Sequence, residues 1–407
     1  MVVLSGAVRR SRLPVALALT AGLLSCSADP PAQVAAPAAA PSAPAPATPT
    51  AAAPTPTSTP TAGAPAPAPR YRTPRGQLHE ELLRFRTGRQ PKQVAFSPDG
   101  SELWVTPLDS TDGVEVYDAA TGRRTHRIRL GRHGAVEVVF TADGATAYVS
   151  QMETASVFAI DTATYEVARR YATRGTWTKV MALSPDEDVL YASNWVSNDV
   201  SAITLATGAV RRYPTVTTPR GLYAAADGRT LYVAGYADGE IERLDLRTGR
   251  GRVLLRTGGA MRHLVADPAR GRLYANDMAL DRTYVVDLRT DRVRPLARTD
   301  RLPNTTDLSP DGRVLYASSR GRNGATYLEK GPEWGSVVVL DALTGRPLDA
   351  IVGGNQTTGL DVSPDGTRLA FSDFLDARVH VYSVPSYDVL RTGRGGRWAA
   401  HLRELEK

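Results

Sequence analysis

The sequence of 407 residues predicts an all-β fold, a seven-bladed β-propeller, behind an N-terminal segment that does not fold. Three observations predict this architecture. One motif returns seven times at a spacing near 42 residues, each repeat holds four short segments typical of β-strands, and the first 69 residues lack the pattern of a folded domain. A period of this length with four strands per repeat is typical of propeller blades.

The chain begins with a segment typical of protein export. Arg9, Arg10 and Arg12 precede the apolar run Leu13–Leu24, which is too short to span a bilayer comfortably. The run ends at Cys26, and "LLSC" resembles the lipobox of bacterial lipoproteins. That resemblance implies cleavage before Cys26, lipidation of its thiol, and a lipid anchor in the bacterial cell envelope outside the cytoplasm. Ser27, the residue after the cysteine, resembles the residue found there in lipoproteins that are sorted to the outer membrane of a Gram-negative host. The alternative to a lipobox is an ordinary signal peptide with a chance cysteine.

A low-complexity segment follows the cysteine. From Ser27 to Pro69 the residues are almost all Ala, Pro, Thr and Ser, with Asp29 as the only charge. Such a segment cannot bury enough apolar surface to fold, and its prolines favour extended polyproline II. The sequence therefore predicts a signal peptide over 1–25, a lipidated cysteine with a disordered stalk over 26–69, and a propeller over 70–407.

Charge and cysteine content exclude two classes of function. Three of the 49 basic residues lie in the signal peptide, so 46 basic residues face 42 acidic ones in the mature chain. This mixed surface predicts no binding of nucleic acid. Cys26 is the only cysteine, so the propeller has no disulfide and no thiolate metal site.

The repeat has a clear local chemistry. Its first copy, "KQVAFSPDGSELWV" (Lys92–Val105), reads as a strand, a Pro-Asp-Gly turn and a second strand, and two further strands follow. Counted at the turn residue, the spacings are 44, 43, 41, 42, 42 and 54 residues, and the seven positions are Asp99, Asp143, Asp186, Asp227, Ala269, Asp311 and Asp365.

These units resemble YVTN-type β-propeller repeats over roughly residues 78–395. The resemblance implies the fold but not an activity, because this architecture hosts enzymes and pure binding proteins alike. Eight segments could form an outermost strand where seven are needed. Either Leu82–Thr87 closes the last blade or Asp388–Gly393 does, and the sequence leaves both arrangements open. Helical periodicity is confined to Trp398–Lys407.

The first residues of the innermost strands form a register with an excess of positive charge, here called the basic register. Four of its seven members are basic, and together they predict a funnel that attracts an anionic ligand. The alternative is that these side chains only solvate the channel mouth or pair with neighbouring acids. The members are Lys92, Val136, Lys179, Arg220, Arg262, Asn304 and Thr358.

The loops between the second and third strands of each blade carry an apolar register, here called the rim register. An aromatic rim above a basic funnel suits an organic anion, a glycan or a peptide, with Trp195, Tyr236 and Phe374 as its candidate ligand residues. The alternative is packing between blades, with the preceding Asn194, Asp277 and Asp373 capping their turns. The register comprises Leu108, Met152, Trp195, Tyr236, Met278, Arg320 and Phe374.

The sixth repeat carries an insertion of about a dozen residues in the same loop, at about 319–335. It is rich in charged and aromatic side chains, of which Arg320, Tyr327 and Trp334 are candidate contacts. Loops also tolerate insertions that have no function. We interpret this one as a lid over the funnel or as a loop that docks a partner.

Catalytic signatures are weak. The sequence contains no nucleophile elbow, no Walker motif and no histidine pair at metal-ligand spacing. Propeller lactonases and streptogramin lyases, which the repeat resembles, gather acids and histidines from several blades. That resemblance offers Glu137 and His263, with Asp277 or Asp373, as weak catalytic candidates, and it implies a divalent metal if the protein is an enzyme.

Other proteins with similar repeats are the haem d1 domain of nitrite reductase and quinoprotein dehydrogenases. The haem c motif is absent, and the sequence identifies no cofactor. The favoured interpretation is a membrane-anchored module that binds a small anionic ligand, a glycan or an envelope protein. A metal-dependent hydrolase or lyase and an envelope scaffold are the alternatives.

Overall fold

A computed structural model describes residues 71–109, 113–393 and 396–407. The predicted signal peptide, Cys26 and the stalk lie outside the described residues. None of the helices in the described ranges has the length and apolar character that crossing a bilayer requires.

The described chain is almost entirely β-structure, and its strands occur at the predicted places. In chain order the 28 strands are β1 Glu81–Arg86, β2 Arg89–Phe96, β3 Glu102–Asp109, β4 Val114–Asp118, β5 Arg124–Ile128, β6 Glu137–Phe140, β7 Thr146–Gln151, β8 Ser156–Asp161, β9 Val167–Ala172, β10 Thr178–Leu183, β11 Val189–Asn194, β12 Asp199–Thr204, β13 Val210–Pro214, β14 Pro219–Ala224, β15 Thr230–Gly235, β16 Glu240–Asp245, β17 Arg250–Arg256, β18 Met261–Asp267, β19 Arg272–Asp277, β20 Arg282–Asp287, β21 Arg292–Arg298, β22 Pro303–Leu308, β23 Val314–Ser319, β24 Ser336–Asp341, β25 Pro347–Val352, β26 Thr357–Val362, β27 Arg368–Asp373 and β28 Arg378–Ser383.

The strands form seven antiparallel sheets of four strands each, which are the seven blades the repeat predicts. Blades 1 to 6 take four consecutive strands each, from β2–β5 to β22–β25. Blade 7 has the order β1-β28-β27-β26, so the N-terminal strand closes the ring, with Phe85 opposite Val379. Of the two closures that the sequence left open, the structure has the N-terminal one.

The C-terminal segment is helical and lies outside the sheets. The second candidate for the closing strand forms helix α1, Tyr387–Thr392, and helix α2 spans Gly396–Glu404 where helical periodicity was predicted. The Ser386 side chain accepts a hydrogen bond from the Val389 N–H at the start of α1, and α1 buries Leu390. This local capping, together with burial on a helical face, explains why the segment is not a strand.

Turn chemistry explains why Ser-Pro-Asp-Gly recurs. In blade 1 the Asp99 carboxylate accepts hydrogen bonds from the Ser97 hydroxyl at 2.5 Å and from the Ser101 N–H at 3.0 Å. The same arrangement recurs at Asp311 and Asp365. Blade 5 lacks the motif and replaces the turn with a short 3-10 helix, Pro268–Arg270, capped by Asp267.

The apolar core lies between neighbouring blades. Trp104 of blade 1 packs in one cluster with Val149 and Phe158 of blade 2, and Leu103 of blade 1 shares a second cluster with Val379 of blade 7. This packing leaves the innermost strands to line the central channel and the loops between second and third strands to surround its mouth.

Candidate functional site

The basic register converges on one end of the central channel, called the throat below. A cavity of about 20 Å³ lies there, where Arg220 and Arg262 meet Lys92 and Glu137. It is lined by Lys92, Gln93, Val136, Glu137, Val180, Arg220, Arg262, His263, Asn304 and Thr305. The structure therefore brings together residues from six innermost strands that the sequence singled out by register alone.

The throat carries far more positive than negative charge. Arg220, Arg262 and Arg320 are 6%, 6% and 7% exposed, and Lys92 and Lys179 are half-buried. In the described part of the chain none of these five cations forms an ion pair; the carboxylate that acts on Arg220, Arg262 and Lys92 is Glu137, and the one that acts on Lys179 is Glu153. Buried cations without partners are costly, so the throat is a site that an anion would stabilise.

The pKa values record this crowding. Burial, followed by repulsion from Arg262 and Arg220, holds the pKa of Lys92 well below its usual range. Burial and the charges of Arg220 and Arg262 lower the pKa of Lys179 in the same way, and burial lowers the pKa of Arg320 to about 10. Every shift disfavours the cation, as expected for a cluster of like charges in a poorly solvated channel.

Two buried donors in the site have no partner. The Arg262 Nε–H donates to the Asn304 amide oxygen, which leaves Asn304 Nδ2, on a side chain 2% exposed, without an acceptor. The Nε–H of Arg320 is also unsatisfied. Because buried donors are almost always hydrogen-bonded in native proteins, both atoms indicate a missing acceptor.

Glu137 and His263 have a structural role that the sequence did not indicate. Each follows a residue of the basic register and accepts a hydrogen bond from the main chain of the next blade. The Glu137 carboxylate accepts from the Met181 N–H, and His263 Nδ1 accepts from the Thr306 N–H at 3.3 Å. Gln93 makes the equivalent contact to the Val138 N–H at 2.6 Å. These positions join adjacent innermost strands.

At two junctions a glycine replaces the acceptor, and the neighbouring strand lies too close for a side chain. A Cβ on Gly221 would lie 2.9 Å from the Leu264 nitrogen, and a Cβ on Gly359 would lie 2.7 Å from the Gln93 Cα. Two of the seven blade junctions therefore close by backbone proximity instead of a side-chain contact.

Burial shifts the pKa values of Glu137 and His263 away from their ordinary values. Burial raises the pKa of Glu137 to about 7, although the charges of Arg220 and Lys92 act against it. Burial, followed by repulsion from Arg220 and Arg262, lowers the pKa of His263 to about 3. His263 is therefore a neutral imidazole, and since its Nδ1 accepts from Thr306, its proton sits on Nε2.

The rim register touches the basic register. Lys179 Nζ lies 4.3 Å and Arg220 Cζ 5.7 Å from the ring centroid of Trp195, which itself contacts Tyr236 at 4.8 Å between centroids. Lys92 Nζ and Arg320 Cζ both lie 5.6 Å from the centroid of Phe374. All four distances are within cation–π range, so rim and throat form one continuous surface.

The side chains of the rim register differ in their solvent exposure. Phe374 is 2% exposed and Met278 5%, in line with the alternative of packing between blades, whereas Trp195 and Tyr236 are only half-buried. The preceding polar residues are structural. Asn194 accepts from Thr178, Asp277 accepts from the Ala260 N–H, and Asp373 contacts His380 at 2.7 Å. Asp277 and Asp373 thus point into the blades and are not gathered with Glu137 and His263.

The insertion spans 320–335, between β23 and β24, and connects to the throat through Gln356. The Gln356 amide oxygen accepts from Arg320, while its nitrogen donates to the Tyr327 carbonyl at 2.7 Å and to Asn323 Oδ1 at 3.0 Å. Tyr327 itself is 57% exposed. The sequence offered no signal for Gln356, a polar residue in a blade-7 loop remote from the insertion.

The C-terminal tail holds the far side of the insertion. The Trp334 N–H donates to the Leu405 carbonyl at 2.7 Å, and the Lys407 N–H donates to Pro332 O at 3.1 Å. Lys407 Nζ lies 4.5 Å from the Trp334 ring centroid and donates to Gly331 O at 2.6 Å. Trp334, a predicted ligand contact, is therefore engaged by the chain's own end.

A larger cavity of about 360 Å³ lies beside α2, between the loops of blades 5 and 6. Its charged lining residues are of both signs: Asp281, Arg298, Asp300, Arg301, Glu333 and Glu406. Arg301 pairs with Glu333 at 3.3 Å. The mixture gives no single charge for a ligand to match, in contrast to the throat. Across residues 71–109, 113–393 and 396–407, no three His, Cys, Asp or Glu residues are grouped so as to hold a metal ion.

Fold and site together define a seven-bladed β-propeller with a basic, aromatic-rimmed throat. The chain belongs to the family of antigen Lp49 from Leptospira interrogans, to which it is 35% identical over 324 residues, covering 75% of this chain and 70% of that protein. No family profile matches the chain.

Solved structures agree on the architecture. Hydrazine synthase from Kuenenia stuttgartiensis superposes with a TM-score of 0.63 at 19% identity, over 74% of this chain and 97% of the other. The β-propeller domain of Cps50 (Swd1) from Myceliophteria thermophila gives 0.60 at 16% identity, over 74% and 99%. At these identities the likeness concerns the fold alone.

Proposed function

We propose that this protein is a lipid-anchored binding protein of the bacterial envelope, and that its throat binds a small anionic ligand. The observation that carries the proposal is the group of buried and half-buried cations in the throat. Lys92, Arg220 and Arg262 line a cavity with a single carboxyl group, and Lys179 and Arg320 contact the aromatic rings of the rim. A structural role alone would not require so many like charges in one place, since each raises the cost of burying the others.

The two unsatisfied donors support a ligand in the throat. Asn304 Nδ2 and Arg320 Nε are buried without acceptors, and an anion supplies acceptors and charge together. The half-exposed rings of Trp195 and Tyr236 offer an apolar surface above, so that a ligand with an organic part would place its anionic end in the throat and its body on the rim.

The envelope location is supported from two directions. The lipobox-like "LLSC" ahead of a stalk of 43 residues, 27–69, is typical of a surface-anchored domain, and the relative at 35% identity is named an antigen, a name that fits exposure to antibodies. Partners on the exposed insertion, such as a glycan or an envelope protein, are compatible with this location.

Binding is tested by thermal unfolding of the full chain against a panel of anions. A ligand at 100 times its Kd stabilises the folded state by about 2.7 kcal/mol, which raises the Tm by several degrees. The double variant Arg220→Ala/Arg262→Ala should lose this shift. A matched pair on exposed outer strands, Arg250→Ala/Arg292→Ala, should keep it. A shift retained by the throat variant would place the ligand elsewhere.

Anchoring is tested separately. Cys26→Ser removes the thiol that a lipid would occupy, so we expect the protein to move from the membrane fraction to the soluble envelope fraction, because burial of the lipid chains supplies the free energy of attachment. Membrane association that survives the substitution would contradict the lipoprotein assignment and leave anion binding untouched.

A further inference from the structure

Glu137 is the only carboxyl group among the residues that line the throat cavity, where the other charged side chains are donors, and this asymmetry narrows the chemistry of the ligand. Building on the proposed function, we infer that the anionic group bound in the throat is an oxyanion that carries its own proton at neutral pH. Hydrogen phosphate has this property at pH 7 to 9, whereas sulfate and the dianion of a phosphate monoester, whose second pKa is about 6, carry no proton.

The donors are arranged around the cavity from four strands. Lys92 lies on β2, Arg220 on β14, Arg262 and His263 on β18, and Asn304 on β22. Because Arg262 holds the Asn304 oxygen, the unpartnered Nδ2 must turn to another acceptor. A tetrahedral oxyanion presents several acceptor oxygens in different directions, which suits donors converging from opposite sides.

The acceptor is Glu137 on β6, and its position is fixed by the Met181 N–H of β10. The charged and titratable groups that face it are Lys92, Arg220, Arg262 and His263. An ionised carboxylate repels an anion that has no proton, but accepts a hydrogen bond from one that has.

The size of the cavity agrees with a small inorganic group. A volume of about 20 Å³ is on the scale of one water molecule, which needs roughly 10–15 Å³ by the same measure. A tetrahedral oxyanion is larger than one water molecule, so we expect its binding to displace the Lys92 side chain, which lines the cavity, while any organic body stays at the rim beside Trp195.

Proton balance turns the inference into a measurement. Above pH 7 the free site holds ionised Glu137, since its pKa is about 7. Hydrogen phosphate then binds without taking up a proton at this position. Sulfate must first protonate Glu137, so its affinity relative to phosphate should fall about tenfold per pH unit. Protonation of Lys92 and Lys179 affects both anions equally and cancels in the ratio.

The experiment is calorimetric titration of the full chain with inorganic phosphate and with sulfate at pH 7, 8 and 9. We expect the Kd of sulfate divided by the Kd of phosphate to rise about tenfold per pH unit toward pH 9. In Glu137→Gln the ratio should stay constant with pH, because the amide keeps an acceptor for the Met181 N–H and offers sulfate a donor. Phenyl phosphate, a dianion without a proton above its second pKa of about 6, is a second proton-free anion and should follow sulfate. Phenyl phosphate that binds as tightly as hydrogen phosphate at pH 9 would refute the proton-bearing ligand.

Two results would overturn the inference in distinguishable ways. Sulfate and phosphate that bind equally at pH 9, with both lost in Arg220→Ala/Arg262→Ala, would refute the proton-bearing ligand and leave anion binding in the throat standing. Absence of binding by every anion in the panel would overturn both this inference and the proposed function.

Discussion

The throat and the ring closure bury charge to a similar degree and treat it in opposite ways. At the closure, His79 contacts Asp349 at 2.7 Å, and His380 lies 2.7 Å from both Glu81 and Asp373. In the throat, three cations line a cavity with one carboxyl group, and two more contact the rings of the rim. A buried charge with a partner contributes to the fold, whereas a buried charge without one costs stability and needs another reason to persist.

This difference distinguishes buried charges that hold the fold together from buried charges that are candidates for ligand binding. At the closure, Glu81 of β1 and Asp373 of β27 both contact His380 of β28, so each of these groups is satisfied within the chain. The throat cations come from separate blades and leave donors unsatisfied. Pairing therefore marks the closure as structural, and the unpaired charge in the throat supports the proposal that the throat binds a ligand.

The largest effect should follow from breaking the closure. His380→Ala would leave Glu81 and Asp373 buried without their shared partner, and we expect a loss of about 3–5 kcal/mol in the free energy of unfolding. Urea unfolding measures it. His133→Ala, at an exposed position, is the matched control and should change stability by less than about 0.5 kcal/mol. A loss below about 1 kcal/mol in His380→Ala would show that the pair does not hold the ring.

Removing a throat cation should raise the free energy of unfolding, the opposite of the effect at the closure. Arg220→Met removes a buried cation and keeps its volume, so we expect the unliganded protein to gain roughly 1 kcal/mol while anion binding is lost. Urea unfolding and titration on the same sample measure the two effects. Arg250→Met on the exposed strand β17 should change neither. A destabilised Arg220→Met protein would mean that the throat cations are structural after all.

The C-terminal tail holds the insertion by a few hydrogen bonds. Releasing the insertion should therefore lower the free energy of unfolding less than His380→Ala does. Deleting Leu405–Lys407 removes the hydrogen bonds from the tail to Trp334, Pro332 and Gly331. We expect a loss under about 1 kcal/mol but faster protease cleavage within 321–333. Lys407→Ala alone, which keeps the Leu405 contact, should give an intermediate rate. Unchanged cleavage in the deletion would show that the loop folds without the tail.

The same contrast explains what the sequence could predict. Seven blades were predictable because the Ser-Pro-Asp-Gly turn and the strand pattern are local, and they recur at a fixed period. The basic register was predictable because one position per blade faces the channel. The closing strand was not, since the choice depends on His380 meeting Glu81 across 299 residues. Gln356 and the main-chain contacts of Glu137 and His263 likewise depend on neighbours in other blades.

The smallest expected effect is on the pH dependence of stability, where the two regions should have slopes of opposite sign. Burial acts to lower the pKa of His380, but the Asp373 and Glu81 carboxylates outweigh it and raise the pKa above 6.5. A raised pKa means that the folded state binds the proton more tightly. The stabilisation by His380 is therefore complete below pH 6.5 and is lost as the pH rises through the folded-state pKa.

The throat lysines behave in the reverse manner. The pKa of Lys92 is well below 10.5 in the folded state, so the unfolded chain binds the proton more tightly and stability rises with pH through that range. Urea unfolding at pH 6, 7, 8 and 9 should show the advantage of the wild type over His380→Gln shrinking as the pH rises. The advantage of Lys92→Met over the wild type should shrink over the same series. The stability of wild type minus that of His380→Gln should therefore fall as the pH rises, and the stability of wild type minus that of Lys92→Met should rise. If both differences changed in the same direction, the distinction between paired charge at the closure and unpaired charge in the throat would be wrong.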